Sequence, residues 1–386
     1  MEEKFSCPTK LKYAALSMVL IGIIATIFAF LGDTNRAWAN LLLSNYYFLS
    51  IALGASFFLA IQYIAQAGWS AAFKRIPEAM SRYIPLAAIF MFIGLLGIKQ
   101  IYPWINPEEA GIFNEHEFHL LHHKEAYLNV PFFIIRMLIY FTAWIVMTFY
   151  LRKLSLAEDR VGGIEYFKKS EYYSKVYIFL FAITFIFASI DWIMSLEPIW
   201  FSTIFAAKNF MSAFYHGTAV IILIAILLHN KGYLSFMNKA HWHDFSKYLF
   251  MLSIFFGYFW YSQYMLLWYA NIPEETSYYI LRREHFSQAH FVVNIILNFA
   301  IPFVVLLPNF LARKKGILLA IVIILLIGHF VDLYEQIMPG ATGEYKIGFT
   351  EIGMWLGFAG IFTLITMRTL TRANLIPINH PYLQES

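Results

Sequence analysis

Charged residues are scarce in this sequence. Only 13% of its 386 residues are Asp, Glu, Lys or Arg, whereas soluble domains carry about 25%. Hydrophobic residues make up 60% of the chain, and the mean hydropathy is +0.60. This balance excludes an ordinary soluble globular domain and predicts a polytopic membrane protein.

Cysteine is nearly absent, because Cys7 is the sole example. One cysteine excludes a disulfide framework, a CxxCH haem attachment and a self-contained iron–sulfur cluster. The formal net charge is +4, but the basic residues are dispersed over short loops and do not form one patch. We therefore expect no nucleic-acid partner and no metal held on cysteine.

Apolar stretches long enough to cross a bilayer recur ten times along the chain. The sequence therefore predicts an all-α membrane protein with ten transmembrane helices in a single integral membrane domain, 1–386. Of the 28 Lys and Arg residues, 20 lie in tails and loops on the side of the N-terminus, and seven lie on the opposite side. By the positive-inside rule, both termini are predicted to be cytoplasmic. The predicted helices 1 to 10 span about 13–31, 42–66, 83–101, 131–150, 175–196, 206–229, 245–268, 286–307, 316–334 and 350–368.

The stretch between predicted helices 5 and 6, IDWIMSLEPIWFSTIFAAKNFMSAFYH, is unusually rich in ionisable residues for its surroundings. Asp191 and Glu197 fall near the outer end of helix 5, and His216 falls close to the membrane midplane. Because ionisable side chains at membrane depth are costly, they mark functional sites by default. These three residues are candidates for a proton relay or a headgroup pocket, whereas Lys208 is expected to extend to the interface. The alternative is structural: Asp191 caps or pairs with a neighbour, and His216 bonds a backbone carbonyl.

A second polar cluster is predicted around the turn between helices 7 and 8. His290, Asn294 and Asn298 are spaced by four residues, so they share one face of helix 8. A polar stripe on a membrane helix points toward a cavity or toward neighbouring helices. It indicates either a site or hydrogen bonding between helices. The other candidates of this cluster, at the top of helix 7 and in the turn, are Gln263, Glu274 and Arg282.

Four further polar positions carry a weaker signal. Arg136 lies inside helix 4 and needs a partner that the sequence does not identify. His329 and Asp332 share a face near the top of helix 9 with Glu335. These residues are candidates for a second relay or for an interfacial cluster.

A metal centre is not favoured by the pattern of histidines. A bis-histidine haem needs two histidines at matched depth, and the embedded candidates His216, His290 and His329 are expected at unequal depths. A group of loop histidines has helical spacing that could bind a metal, but no cysteine or carboxylate pattern accompanies it. Contact with a partner protein is the preferred interpretation for this group: His116, His119, His122 and His123.

Two long motifs, DWIMSLEPIWFSTIF (191–205) and QYMLLWYANIPEE (263–275), resemble a known family. The chain resembles the ten-helix NrfD-type membrane subunits, which are related to the polysulfide-reductase anchor. More closely, it resembles the second such subunit (ActF-like) of bacterial alternative complex III, a quinol:cytochrome c oxidoreductase. This resemblance implies a bacterial inner membrane protein with two four-helix bundles, helices 2–5 (about 42–196) and 6–9 (about 206–334). Helix 1 (about 13–31) and helix 10 (about 350–368) would be peripheral.

The resemblance also implies partners and a role. The partners would be the sister NrfD-type subunit, an iron–sulfur subunit and multihaem cytochrome c subunits, with a terminal oxidase as a further candidate. The implied role is quinone binding, proton conduction, or both, without a covalent cofactor; the sequence does not distinguish menaquinone from ubiquinone. Only Asp191, Glu197, Gln263 and Glu274 fall inside the matching motifs.

Three functions follow as hypotheses. The first is a metal-free subunit of a respiratory quinol-oxidising complex, in which Asp191→Asn would lower turnover without loss of assembly. The second is a structural scaffold of the same complex, which would show Asp191 and Glu197 paired and sealed from water. The third is a secondary transporter, which would need helices broken around a midplane site.

Overall fold

The described part of the chain is built from helices. The computed structural model describes the backbone of residues 4–285 and 288–383 and the side chains of 4–283 and 292–383. Within these residues the β contact is an isolated bridge between Lys4 and Asn374. The predicted all-α class is thus confirmed for the described residues. Eight of their helices are long and apolar enough to cross a membrane, which is consistent with a multi-pass membrane protein.

The main helices alternate in direction along the chain. One end of the assembly, which we name the terminal face, holds both chain termini, and the other end is the distal face. In chain order the helices are α1 (Thr9–Gly32), α2 (Thr34–Ile64), α3 (Arg75–Ile101), α4 (Val130–Val161), α5 (Glu165–Trp192), α6 (Thr203–His229), α7 (Lys239–Ala270), α8 (Pro273–His285), α9 (288–306), α10 (Lys315–Thr342) and α11 (Phe349–Leu370). All of these except α7, α8 and α9 belong to the eight long apolar helices.

Several helices are longer than their apolar runs. α3 begins at Arg75 and not near 83, α7 begins at Lys239, and α10 continues to Thr342, beyond the predicted end near 334. The hydropathy pattern ends where lipid contact ends, but the backbone hydrogen bonds continue into the polar interface and into protein contacts. The charged ends of the helices thus belong to the fold, although hydropathy alone omits them.

Helix α2 forms the centre of the assembly and is buried along nearly its whole length. It packs closely against α6 because both helices present glycine at the contact. A Cβ atom on Gly54 would lie 1.9 Å from the Ala213 carbonyl oxygen, and one on Gly217 would lie 2.7 Å from the Ala55 nitrogen. Small residues allow helix backbones to approach closely in membranes. This contact positions α6, which carries two of the candidate site residues.

Helices α1 and α11 form a second close pair. A Cβ atom on Gly22 would lie 2.3 Å from the Gly357 Cα atom, and one on Gly353 would lie 2.5 Å from the Ala25 Cβ atom. The remaining faces of α1 expose large apolar side chains such as Leu20, which is 59% exposed. This pattern is typical of a helix that contacts protein on one side and lipid on the others.

Helix α9 is interrupted near its middle. Its parts are an α-helix (Gln288–Ile295), a π-helical segment (Ile296–Ala300) and a second α-helix (Ile301–Leu306). Pro302 has no N–H to donate to the carbonyl of Asn298, and its ring would clash with that carbonyl in a regular helix. The ladder shifts instead, so that Ile301 N–H donates to the Ile296 carbonyl. The break presents the side chain of Asn298 to the protein interior, where it is fully buried.

A network of buried charges joins α3 and α4 at the terminal face. Arg75 Nη1 donates to Glu78 Oε2 at 2.7 Å, and Arg152 Nη1 donates to the same oxygen at 3.4 Å. Lys74 Nζ donates to Glu158 Oε1 at 3.3 Å. We name this set, Lys74, Arg75, Glu78, Arg152 and Glu158, the terminal-face charge cluster; each member is at most 5% exposed.

Candidate functional site

Two histidines meet at mid-depth in the centre of the fold. His216 on α6 and His329 on α10 are both 0% exposed, and their rings stack with centroids 4.1 Å apart and planes inclined by 18°. Each lies about 20 Å along its helix from Thr203 or Lys315. The expectation that these two histidines lie at unequal depths is therefore wrong. His216 lies near mid-depth as predicted, but α10 continues to Thr342, beyond the predicted end near 334, so His329 lies near the middle of its helix and not near the top.

Both ring nitrogens of His216 face oxygen acceptors. Its Nδ1 lies 2.7 Å from the Ser212 carbonyl oxygen, and its Nε2 lies 3.0 Å from Asn298 Oδ1. The orientation of the Asn298 amide follows from its other contacts, since its Nδ2 donates to the Gly328 carbonyl at 3.0 Å and to Asn294 Oδ1 at 2.7 Å. A carbonyl only accepts, so the amide nitrogen must face Gly328. With the amide in this orientation both ring nitrogens of His216 donate, whereas with the amide turned Nε2 accepts from Asn298 and the ring is neutral.

The hydrogen-bonded chain continues from Asn298 toward the distal face. Asn294 Nδ2 donates to Glu335 Oε2 at 2.7 Å and to Asp332 Oδ1 at 3.1 Å. The second carboxylate oxygen of Glu335 is buried and has no hydrogen-bond partner among the described residues. The side chains of α9 therefore connect a mid-depth histidine to a carboxylate closer to the distal face.

Lys208 and Asp332 form the ion pair of this cluster. Lys208 Nζ donates to Asp332 Oδ1 at 2.7 Å, and Ser212 Oγ donates to Asp332 Oδ2 at 3.0 Å. Lys208 is 6% exposed, so the expectation that it extends to the interface is wrong. Its helix face points toward α10, where Asp332 compensates the charge; burial without such a partner would be strongly unfavourable.

The series of hydrogen bonds on the other side of the histidine pair is short. His329 Nε2 lies 2.8 Å from Ser50 Oγ, which donates to the Tyr47 carbonyl at 2.8 Å. The Tyr47 ring packs against the His329 ring with centroids 4.7 Å apart. The hydrogen bonds that lead from His329 into α2 thus end at the Tyr47 carbonyl. We name the whole set the deep polar cluster: Ser50, Lys208, Ser212, His216, Asn294, Asn298, His329, Asp332 and Glu335.

Glu197 and Arg282 pair above this cluster at the distal face. Arg282 Nη2 donates to Glu197 Oε1 at 2.6 Å, and its Nε donates to the Glu335 carbonyl at 2.8 Å. Its guanidinium lies 3.2 Å from the centroid of the Tyr278 ring. Burial opposes the charged form of Arg282, but the Glu197 carboxylate prevails and raises the pKa of the guanidinium. This pair fastens α8 over the distal end of the cluster.

A large cavity opens beside that pair. The distal cavity has a volume of about 930 Å³, and its lining includes Glu197, Glu274 and Gly340. Glu274 is exposed at the start of α8. Two of the carboxylates predicted from the motifs, Glu197 and Glu274, are thus brought to one cavity.

Asp191 and Arg136 pair with each other, away from the deep polar cluster. Arg136 donates from Nε to Asp191 Oδ2 at 2.8 Å and from Nη2 to Oδ1 at 2.9 Å, and the Tyr140 hydroxyl donates to Oδ2 at 2.8 Å. Asp191 is 1% exposed. The partner that the sequence could not identify for Arg136 is thus the carboxylate at the outer end of α5. These side-chain contacts join α4 to α5 and include no member of the deep polar cluster.

The remaining predicted residues are placed as follows. Gln263 is buried, and its Oε1 has no hydrogen-bond partner among the described residues. The side chain of His290 lies outside the described residues, although its backbone belongs to α9. Among the described residues, no group of three or more His, Cys, Asp or Glu side chains could hold a metal ion. The metal hypothesis for the loop histidines has no support from this arrangement.

Two members of the deep polar cluster, Ser50 and Ser212, and the adjoining Tyr47 were not singled out by sequence reasoning. Ser50, Ser212 and Tyr47 lie on apolar helices, where a serine usually bonds to its own backbone. The available signal was the spacing of Ser212 and His216, four residues apart on one helix face.

No protein-family model matches the chain, and no curated protein matches it significantly.

Proposed function

We propose that the chain is a membrane subunit of a respiratory quinol:cytochrome c oxidoreductase of the alternative complex III type, in which the deep polar cluster carries protons. The resemblance of the two motifs supports the identity of the complex. The observation that supports the proton role is the unbroken hydrogen-bonded chain from Glu335 through Asn294 and Asn298 to His216. The proposal makes no use of a redox metal in this chain.

The hydrogen-bonded series from His216 to Glu335 can exist in two states that differ by the position of one proton. In the first, His216 is doubly protonated and donates to Asn298, and Glu335 accepts from Asn294. In the second, Glu335 is protonated and donates to Asn294, both amides are turned, and Asn298 donates to a neutral His216. The proton passes because each amide takes one proton on its oxygen, gives one up from its nitrogen, and returns from the imidic acid to the amide form as it turns. Each state keeps three hydrogen bonds along the chain, because histidine, amide and carboxyl groups can each change role. The second state loses the bonds to Asp332 and Gly328, so the protonation of Glu335 is coupled to the position of the amides.

Charge balance favours transfer of single protons in this cluster. Lys208 compensates Asp332, and the remaining pair, His216 and Glu335, is neutral overall in both states. A net charge at this depth would be costly, so moving the proton within the pair avoids that cost. Quinol oxidation, when it occurs in the complex, releases the protons that such a path would move.

The membrane arrangement follows from the same proposal. The eight apolar helices together with α7 and α9 would give the ten spans of the family. Helices 2–5 and 6–9 would form its two bundles, with the terminal face toward the bacterial cytoplasm. The sister NrfD-type subunit, the iron–sulfur subunit and the multihaem cytochromes would be the partners, and the distal cavity is our candidate for a quinone headgroup. Its volume of about 930 Å³ lies in the usual range of about 300–1,000 Å³ for ligand pockets.

Two other functions have one observation each in their favour. The sealed Arg136–Asp191 pair matches what a structural scaffold requires at that position. The interrupted α9, with Asn298 at the break, matches the discontinuous helix of a secondary transporter. Neither observation accounts for the chain that reaches Glu335.

Replacement of Glu335 by Gln tests the proposed function. The introduced amide can still accept from Asn294, so assembly should persist, but it cannot take up a proton. Quinol-driven proton release by the purified complex in liposomes should fall by about tenfold or more. The matched control is Glu344→Gln, an exposed distal carboxylate paired with Lys346, which should leave proton release unchanged. Full proton release by Glu335→Gln would exclude the path. If fewer complexes assemble but each assembled complex keeps its normal activity, the scaffold function is favoured instead.

A further inference from the structure

A large apolar cavity lies on the terminal side of the deep polar cluster. It has a volume of about 710 Å³ and lies between α1, α2, α6, α10 and α11. Its walls include Phe48, Ile224, Leu326 and Phe362. Water does not fill apolar cavities readily, so this space suits the hydrocarbon part of an amphiphile. Nothing in the proposed function assigns it an occupant.

The mouth of the cavity differs from its walls. Lys10 and Lys231 lie there, at the start of α1 and just beyond the end of α6, and both are exposed. Among the described residues that line the cavity there is no Asp or Glu. Neither lysine forms an ion pair with the described residues. The mouth therefore complements an anionic group at the level of the membrane surface.

A hydroxyl lies between the charged mouth and the apolar interior. Thr366 lines the cavity, is 1% exposed, and its Oγ1 has no hydrogen-bond partner among the described residues. It lies about 6 Å below the end of α11 at Leu370. This is a depth at which an ester carbonyl between a headgroup and a hydrocarbon chain could accept its proton.

We propose that the cavity is a binding site for one anionic phospholipid. Its phosphate lies between Lys10 and Lys231, an ester carbonyl accepts from Thr366, and one acyl chain fills the space toward Tyr47. An isoprenoid quinone would fit the apolar walls equally well, but its neutral headgroup would make no use of the two lysines. The charge of the mouth is what favours the phospholipid. The proposal does not depend on the proposed function.

The site has a consequence for the deep polar cluster, because Tyr47 lines the cavity and also contacts His329 of the cluster. An acyl chain in the cavity holds Tyr47 against the histidine and keeps water from reaching the pair from the terminal side. The lipid thus closes the terminal end of the polar cluster.

Lipid retention by the full-length chain tests the site. The chain is purified in detergent, incubated with phosphatidylglycerol, phosphatidylcholine or ubiquinone, and examined by native mass spectrometry. Phosphatidylglycerol should be retained in preference to the other two. The double variant Lys10→Gln, Lys231→Gln should lower its retention about tenfold or more. Lys12→Gln, an exposed lysine of α1 outside the cavity, is the matched control and should bind as the parent chain does.

A second variant tests the cavity itself. Thr363→Trp places a large side chain in the lining and should exclude the acyl chain, whereas Ile23→Trp, at a position 53% exposed on α1, should not. Equal retention of phosphatidylglycerol and phosphatidylcholine, or preferential retention of ubiquinone, would overturn the proposal. Unchanged retention by the double lysine variant would also overturn it, and this variant alters surface residues only, so its folding is not at risk.

Discussion

The terminal-face charge cluster and the deep polar cluster both bury acids and bases, yet their hydrogen bonds differ in kind. At the terminal face, Glu78 is held by Arg75 and Arg152. An arginine is always charged and only donates, so each partner has one fixed role. In the deep polar cluster, His216 and the amides of Asn294 and Asn298 can each donate or accept. The hydrogen bonds between Glu78 and its arginines can therefore run in one direction only, whereas those of the deep polar cluster can run in two.

This difference shows that burial of charge does not by itself indicate function. The Arg136–Asp191 pair is buried, with exposed fractions of 6% and 1%, but both carboxylate oxygens accept hydrogen bonds from the permanently charged guanidinium. Glu335 has one oxygen without a partner among the described residues, but so does Glu158 of the terminal-face charge cluster, so an unpartnered oxygen does not separate the two clusters. The capacity of the partners to change role is the better guide to a proton site.

Removal of the carboxylate of Glu78 should have the largest effect on stability. Glu78→Gln leaves Arg75 and Arg152 buried without their shared counter-charge, which should cost about 3–5 kcal/mol. The check is the midpoint of thermal unfolding in detergent, compared with Asp244→Asn. Asp244 pairs with Lys247 on the surface, and its loss should cost about 0.5 kcal/mol or less. Similar midpoints for the two variants would show that the terminal-face cluster is not a fixed structural element.

Replacement of Asp191 by Asn separates the structural role from the chemical one. The neutral amide leaves the Arg136 charge uncompensated, which should lower stability by about 3 kcal/mol. Proton release per folded complex should stay unchanged, although the sequence alone led us to expect lower turnover with intact assembly. If proton release falls while the unfolding midpoint is retained, Asp191 belongs with the deep polar cluster and the comparison fails.

A methyl group at position 328 should disturb the deep polar cluster directly. A Cβ atom there would lie 2.3 Å from Asn298 Oδ1, the atom that faces His216. Gly328→Ala should therefore displace the amide, break the link to His216, and cost about 1–3 kcal/mol. Proton release should fall together with stability. Gly316→Ala, on the same helix with open space around it, should change neither; normal proton release by Gly328→Ala would mean that the amide chain is not the path.

Much of the fold could be predicted because it depends on the distribution of apolar residues. The runs that became α1, α2 and α6 are visible in the sequence. The break in α9 was not predicted, although Pro302 marks it for a physical reason. The starts of α3 and α7 were missed, since their first turns are polar. Hydropathy reports contact with lipid, whereas these turns are stabilised by contacts with protein.

The site could be predicted only in part. His216, His329 and Asp332 were identified as candidates because ionisable groups are rare at depth. Lys208 was assigned to the interface because one helix alone does not show which neighbour its side chain meets. Its partner Asp332 is 124 residues away in the chain, and pairing over such a separation depends on how α6 and α10 pack.

The smallest expected effect is the pH dependence of docking of the C-terminal tail, which tests whether the terminal-face charge cluster can accept a proton. His380 packs against Phe167, and burial, followed by the charges of Lys74 and Arg75, lowers the pKa of its imidazole to about 2. The Glu158 carboxylate, 3.9 Å away, does not reverse this, since it is already paired with Lys74. Between about pH 2 and pH 6.5 the released tail binds a proton that the docked tail does not, so docking is at full strength above pH 6.5 and weakens as the pH falls.

The expected size of this effect is at most about 1.4 kcal/mol per pH unit. The released fraction of the tail should therefore rise about fivefold between pH 6.5 and pH 5.5, and should approach a tenfold rise per pH unit below that range. Hydrogen exchange of residues 374–383, corrected for its intrinsic pH dependence, measures that fraction. His380→Phe keeps an aromatic ring against Phe167 and should remove the pH dependence. If the exchange of the parent chain does not change with pH, a proton can enter the terminal-face cluster without release of the tail. That cluster would then share the property by which we distinguish the deep polar cluster, namely the ability to accept a proton while folded.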